Sequence, residues 1–193
     1  MSATATPTGA EPIGTLSSSG SFTGKVRHLK IASNYGTAIF YGDFVKTVAG
    51  GTVEKDAGTT ALTTTGVFMG CFFTDPTTKQ PTYSQYYPAS TVASDIKAYV
   101  LDDPHVLMKM QGDATLAQTA IGNNVSMVQT AGSTDIGRSK NAVDSSTIAA
   151  TTATLPLRII DFVDGPDSSV GDAYTDVIVK FNVGHQYLNT TGI

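Results

Sequence analysis

The chain has 193 residues and a formal net charge of −4, with 40% hydrophobic and only 15% charged residues. That length favours one domain, or one domain with an appendage, and the hydrophobic share suffices for a core, which excludes a wholly disordered chain. The acidic balance argues against nucleic acid as a partner, because a binder of phosphates carries a Lys/Arg stripe and none is present.

The charged share lies well below the roughly 25% of ordinary soluble domains, and Gly, Ser, Thr and Ala fill the difference. Such a composition suits β-structure that neighbours cover. The single cysteine, Cys71, sits in the run Val67, Phe68, Met69, Gly70, Cys71, Phe72, Phe73. It has no intrachain disulfide partner and reads as a small core hydrophobe. There is no run of 18 apolar residues and no charged segment leading into an apolar one near the start, so neither a membrane span nor a secretory signal is expected.

Residues 1–20 contain two prolines and only Ile13 and Leu16 as bulky side chains. They read as a flexible N-terminal arm, with Ile13 and Leu16 as anchors if it orders on a partner. A β-rich domain is expected over 21–185, opening at Phe22, with 186–193 as a loosely held tail. Lys25, Arg27, His28 and Lys30, interleaved with Val26, Leu29 and Ile31, mark the exposed side of a first strand. Strand signals recur at 37–41, 44–48, 52–55 and 66–73, the spacing of a sandwich or barrel. Tyr83, Tyr86 and Tyr87 form an aromatic group that, with no basic residues adjacent, suits packing or an intersubunit contact.

Residues 97–111 hold two apolar runs around the corner Asp102, Asp103, Pro104, His105 and read as a central hairpin. Asp113 as N-cap, a stripe of Leu116, Ala117, Ala120 and Ile121, and Gly122 as the stop predict one short helix. Residues 123–128 read as strand, and 131–154 as a long Ser/Thr/Ala-rich loop of the kind that is functional or lies over a partner. Strands return at 155–163 and 174–182. The fold expected is therefore mainly β, a compact barrel or sandwich with one short helix and an extended N-terminal arm.

Catalytic patterns fail in turn. Gly20 to Lys25 has the wrong spacing for a phosphate loop, and no serine-hydrolase elbow occurs. His28, His105 and His185 are far apart, with no zinc spacing. Asp161, Asp164 and Asp167 recur every third position, but turn formation explains them better than a calcium site. Asp102 and Asp103, adjacent on a strand end, point to opposite faces. No catalytic, cofactor or metal residue is assigned, and the chain is not expected to be an enzyme.

Several stretches nevertheless have a familiar look: residues 35–46, reading YGTAIFYGDFVK, then Gly66 to Gly70, and then Ala98 to Pro104. With Gly137-Arg138-Ser139, Leu157-Arg158-Ile159 and Val179 to Asn182, they give residues 24–183 a likeness to phage virion proteins. The chain resembles the head decoration, or cement, proteins of tailed bacteriophages. The resemblance implies a β-barrel on the outer capsid surface, homo-oligomeric with a trimer favoured over a dimer, bracing junctions between major capsid proteins and using an N-terminal arm for extra contacts. On that basis Ile13, Leu16 and Phe22 are candidate capsid contacts, and Tyr83, Tyr86 and Tyr87 candidate interface aromatics. The rival expectation is a tail- or fibre-associated β-domain that binds a host surface glycan through the same tyrosines.

Overall fold

The computed structural model describes residues 4–16, 22–189 and 192–193. Two antiparallel sheets face each other, so the barrel-or-sandwich expectation resolves to a β-sandwich. The first sheet runs β1 (Glu11–Thr15), β8 (Val106–Gln111), β13 (Asp176–Phe181), β12 (Leu157–Phe162), β9 (Asn124–Val125). The second runs β2 (Arg27–Lys30), β7 (Lys97–Leu101), β5 (Gly66–Thr74), β3 (Phe44–Thr47), β4 (Val53–Lys55), with β6 (Pro81–Ser84) also paired to β5. A ribbon of β10 (Met127–Val128) and β11 (Ala142–Val143) sits beside them.

Alternation along β13 shows why the layers close. Val177, Val179 and Phe181 are buried while Asp176, Ile178 and Lys180 are half-buried, as period-2 geometry requires. The inward set meets Met108, Met110, Leu157 and Ile159 of its own sheet and Phe44, Val67 and Leu101 of the other. Each such side chain contributes about 1.5–3 kcal/mol by leaving water. Strand β5 does not alternate because its other face is covered too. Phe68, Cys71 and Phe73, with Ala98 and Val100 of β7, form a second cluster closed by Ile31, Ile39, Tyr87 and Ile96 from the segments 31–41 and 87–96. A strand buried on both sides reads as a solid apolar run.

Between Phe68 and Cys71 the pairing of β5 with β7 slips, and Gly70 sits there at φ +126°. A side chain at Gly70 would strain a backbone that L-residues rarely adopt and would press on the Ser84 carbonyl at 3.0 Å. The bulge turns Phe72 onto the same side of the sheet as Val67.

Four expectations need correction. Residues 97–111 form two strands but not a hairpin: β7 lies in the second sheet and β8 in the first, so the corner 102–105 crosses between layers. The N-terminal arm is in part a strand, because β1 pairs with β8 and Ala10 is fully buried, its N–H donating to Gly42 O at 2.9 Å. Apolar side chains alone did not foretell this; the backbone ladder supplies the order. Residues 1–3 and 17–20 of that arm lie outside the described residues. The short helix is a 3-10 turn, Gln118–Ala120. Asp113 does not cap it, since its carboxylate accepts from Ser145 N at 2.8 Å, and so short a segment forms no stable α-helix on propensity alone. The tail expected to be loose is docked at Gln186, whose side-chain amide accepts from Thr47 N at 3.0 Å and donates to Thr47 O at 2.8 Å, imitating a paired strand.

The segment 131–154 is stitched down rather than free. Asp43 is fully buried and accepts from Ser139 Oγ at 2.7 Å, Asn141 Nδ2 at 3.1 Å and Phe40 N at 2.9 Å. Lys55 Nζ, itself largely buried, pairs with the same carboxylate at 2.9 Å. One charge thus holds β4, the start of β3 and the long loop together.

Candidate functional site

The corner 102–105 is architecture. Asp102 pairs with Arg27 of β2, whereas Asp103 accepts from His105 N at 2.8 Å and from Thr15 Oγ1 at 3.2 Å. The two carboxylates therefore serve different partners, Asp102 tying the end of β7 to β2 in the second sheet and Asp103 tying the approach to β8 to β1 in the first. His185 lies near this corner and is fully buried against the Phe181 and Tyr187 rings, 5.1 and 5.4 Å away between centroids. Its Nδ1 accepts from Tyr187 N at 3.3 Å, and its Nε2 has no hydrogen-bond partner. Burial pushes the imidazole down to about 4, outweighing the opposing pull of Asp102 and the Thr65 backbone. Among the described residues no three His, Cys, Asp or Glu side chains gather as metal ligands, and the aspartates at 161–167 are no exception.

The predicted site residues separate. Ile13 protrudes at a bulge in β1, opposite no residue of β8, and is 45% exposed. Leu16 follows it at 48%, and Phe22 stands at 38% exposed. Tyr87 is fully buried, its hydroxyl donating to Tyr35 O at 3.1 Å, so it is a core residue and not an interface aromatic. Tyr86 stacks on Phe40 at 5.4 Å and 12°. Tyr83 alone of the three is open, 73% exposed on β6.

Tyr83 does not stand by itself. Cross-strand registers place Lys30 opposite Lys97, Lys97 opposite Phe72, and Phe72 opposite Tyr83, while His28 faces Tyr99. Directly opposed residues share a face of a sheet, and ring contacts agree. His28 and Tyr99 meet edge-on at 4.6 Å, Phe72 and Tyr83 are tilted by 55° at 5.0 Å, and Tyr83 lies parallel to Tyr99 within 7° at 6.5 Å. Desolvation first, and Tyr83 second, raise the Tyr99 phenol above its ordinary value. Lys97, Tyr99 and Leu101 alternate on one side of β7, and Leu101 belongs to the core between the layers. The aromatic shelf is thus the interlayer face of the second sheet, continuing where the first sheet no longer covers it. Sequence reasoning found Tyr83 but did not join it to His28, Phe72 and Tyr99, which lie on three other strands; for Phe72 and Tyr99 the alternation with buried neighbours was the available signal.

A separate cleft of about 570 Å³ lies between Leu29, Lys46 to Ala49 and the C-terminal residues Gln186, Tyr187 and Ile193. Charges also cluster over β1, where Lys109 lies 3.6 Å from Glu11 and 3.9 Å from Asp176, and Arg138 lies 3.9 Å from Glu11. Two acids face two bases there, which balances the cluster and fastens the N-terminal strand.

No protein-family model, curated protein or solved structure matches this chain. Among the described residues, fold and surface together define an antiparallel β-sandwich in which β1 is the last strand of its sheet and an aromatic face of the other sheet is left uncovered. No helix among the described residues is long and apolar enough to cross a membrane.

Proposed function

We propose that this chain is a virion structural protein, a decoration protein that binds the outer surface of a phage capsid as a homo-oligomer and braces contacts between major capsid proteins. The observation that supports the reading best is the edge of the first sheet. Strand β1 ends the five-strand order and carries Ile13 outward, with Leu16 one residue past its end, both close to half exposed. An unpaired sheet edge with apolar side chains is a ready template for a second chain. The resemblance over residues 24–183 supplies the identity of that second chain, the major capsid protein. In this reading the chain binds and braces; it carries out no chemistry.

The arm acts differently from a free tether. Because β1 belongs to the sandwich, deleting residues 1–20 strips a strand and weakens the fold as well as attachment. The cleaner test is Ile13→Asp with Leu16→Asp, which leaves the ladder in place. Heads lacking the protein are incubated with either form, and occupancy is read by sedimentation and cryo-electron microscopy. The doubly substituted chain should keep its unfolding midpoint and lose occupancy, and the native mass of the unsubstituted chain should be that of a trimer. Full occupancy by the substituted chain would remove the edge from the contact.

A further inference from the structure

We propose that the aromatic shelf of the second sheet, His28, Lys30, Phe72, Tyr83, Lys97 and Tyr99, is a binding platform for an acidic polysaccharide whose sugar rings carry carboxylates. The inference does not depend on where on a particle the chain sits. Three features of the shelf point the same way.

The first is position. Exposed aromatics gathered on one face are uncommon on a surface that has no partner. Here they continue a core face, and Tyr83 keeps 73% of its surface open. Flat, rigid rings offer a stacking surface for the C–H faces of pyranose rings at little entropic cost. Tyr83 and Tyr99 stack within 7° of parallel at 6.5 Å, so the open Tyr83 ring is held in a fixed orientation beside a second aromatic. The phenol hydroxyls add donors and acceptors for sugar hydroxyls.

The second is charge. Lys30 and Lys97 stand directly opposite each other on β2 and β7, both exposed. Like charges so placed repel, and no carboxylate lies within ion-pair distance of either among the described residues. Asp95 is near enough to Lys97 to feel its charge, but its carboxylate is occupied by Thr74, whose hydroxyl and N–H donate at 2.7 and 3.1 Å. An anionic ligand relieves the Lys30–Lys97 repulsion and meets a strand face on which two cations and four rings adjoin.

The third is charge density, which chooses among anions. Single-stranded nucleic acid also stacks on aromatics, but it needs a cationic groove along its backbone. Two lysines on a chain of net charge −4 do not provide one. A polyuronate, with one carboxylate per ring, matches two cations beside a short row of rings.

The test uses the full chain and four probes: a polyuronate oligosaccharide, neutral dextran, dextran sulfate and oligothymidylate. Binding is read by calorimetry and by chemical shifts of the tyrosine rings. The polyuronate should bind, neutral dextran should not, and Tyr83→Ala and the pair Lys30→Gln/Lys97→Gln should each weaken binding by about tenfold or more. Added salt should weaken binding to the unsubstituted chain more than to the lysine pair. Ile136→Ser, exposed and off the shelf, should bind as the unsubstituted chain does. These are surface changes, and an unchanged unfolding midpoint confirms that each variant is folded. The proposal is overturned by any one of four results: no polyuronate binding; binding indifferent to Tyr83 and the lysines; tighter binding of dextran sulfate or oligothymidylate; or a Tyr83→Ala chain that changes its native mass, which would make the shelf a contact between copies.

Discussion

Replacing Asp43 with Ala should unfasten the long loop from the sandwich. The carboxylate is fully buried, accepts from Ser139, Asn141 and the Phe40 backbone, and pairs with Lys55 at 2.9 Å. Removing it leaves three donors without their charged acceptor and an ammonium with 13% of its side chain exposed. Breaking one side of a buried pair costs about 3–5 kcal/mol. Lys55 reaches a little water, so a value near the middle, about 4 kcal/mol, is expected. With a urea dependence of about 2 kcal/mol per molar, the midpoint should fall by about 2 M. Asp43→Asn keeps an acceptor oxygen and should fall by roughly half as much. Urea titration followed by far-ultraviolet circular dichroism measures both, and amide exchange at Ser139 and Asn141 should quicken in step. A midpoint for Asp43→Ala within about 0.5 M of the original would refute the claim that this charge joins the loop to the strands.

Three further outcomes are expected. His185 is held neutral in the fold, pushed down to about 4 against an ordinary 6.5, so its contribution is complete above pH 6.5 and is lost as pH falls towards 4. The loss amounts to roughly 3 kcal/mol at most, and His185→Gln should flatten that part of a stability-against-pH curve. Cys71, buried and with its thiol pushed up to about 12, should resist an aromatic disulfide reagent at pH 8 until the chain unfolds; immediate labelling of the native protein would contradict that burial. Val100→Asp should prevent folding, because it places a charge in the closed second cluster, while Asp103→Asn should cost under about 1 kcal/mol, since an amide oxygen can still accept from His105 N. Thermal melts of the two distinguish a core strand from a tolerant turn.

Much of the strand inventory was legible because side-chain alternation is a local property. Residues 44–47, 53–55, 66–74, 97–101, 106–111 and 176–181 all announce themselves by apolar runs or period-2 spacing. Failures came where a local signal had a nonlocal competitor. Asp113 looks like a helix cap, yet Ser145, 32 residues away, takes its carboxylate. Tyr83 and Tyr87 look alike in sequence, but one stands open and the other is sealed in the second cluster beside Ile39, whose backbone pairs with its own. Residues 11–15 look too polar to order themselves, and they are ordered by the β8 ladder instead. Low apolar content predicts a free arm only when no neighbouring edge offers its hydrogen bonds.

The stretch 97–111 divides most clearly what each level decides. Its composition alone determines two apolar strands and a polar turn held by Asp103. Nothing local decides whether those strands pair with each other, because backbone N–H and C=O groups are the same on every strand. That choice belongs to the available neighbours: β2 and β5 enclose β7, β1 and β13 enclose β8, and the corner becomes a bridge between layers. The same choice leaves Tyr99 on an uncovered face beside rings from three other strands. Local sequence thus determines the strands, and tertiary pairing alone decides which faces are buried and which remain available to a partner.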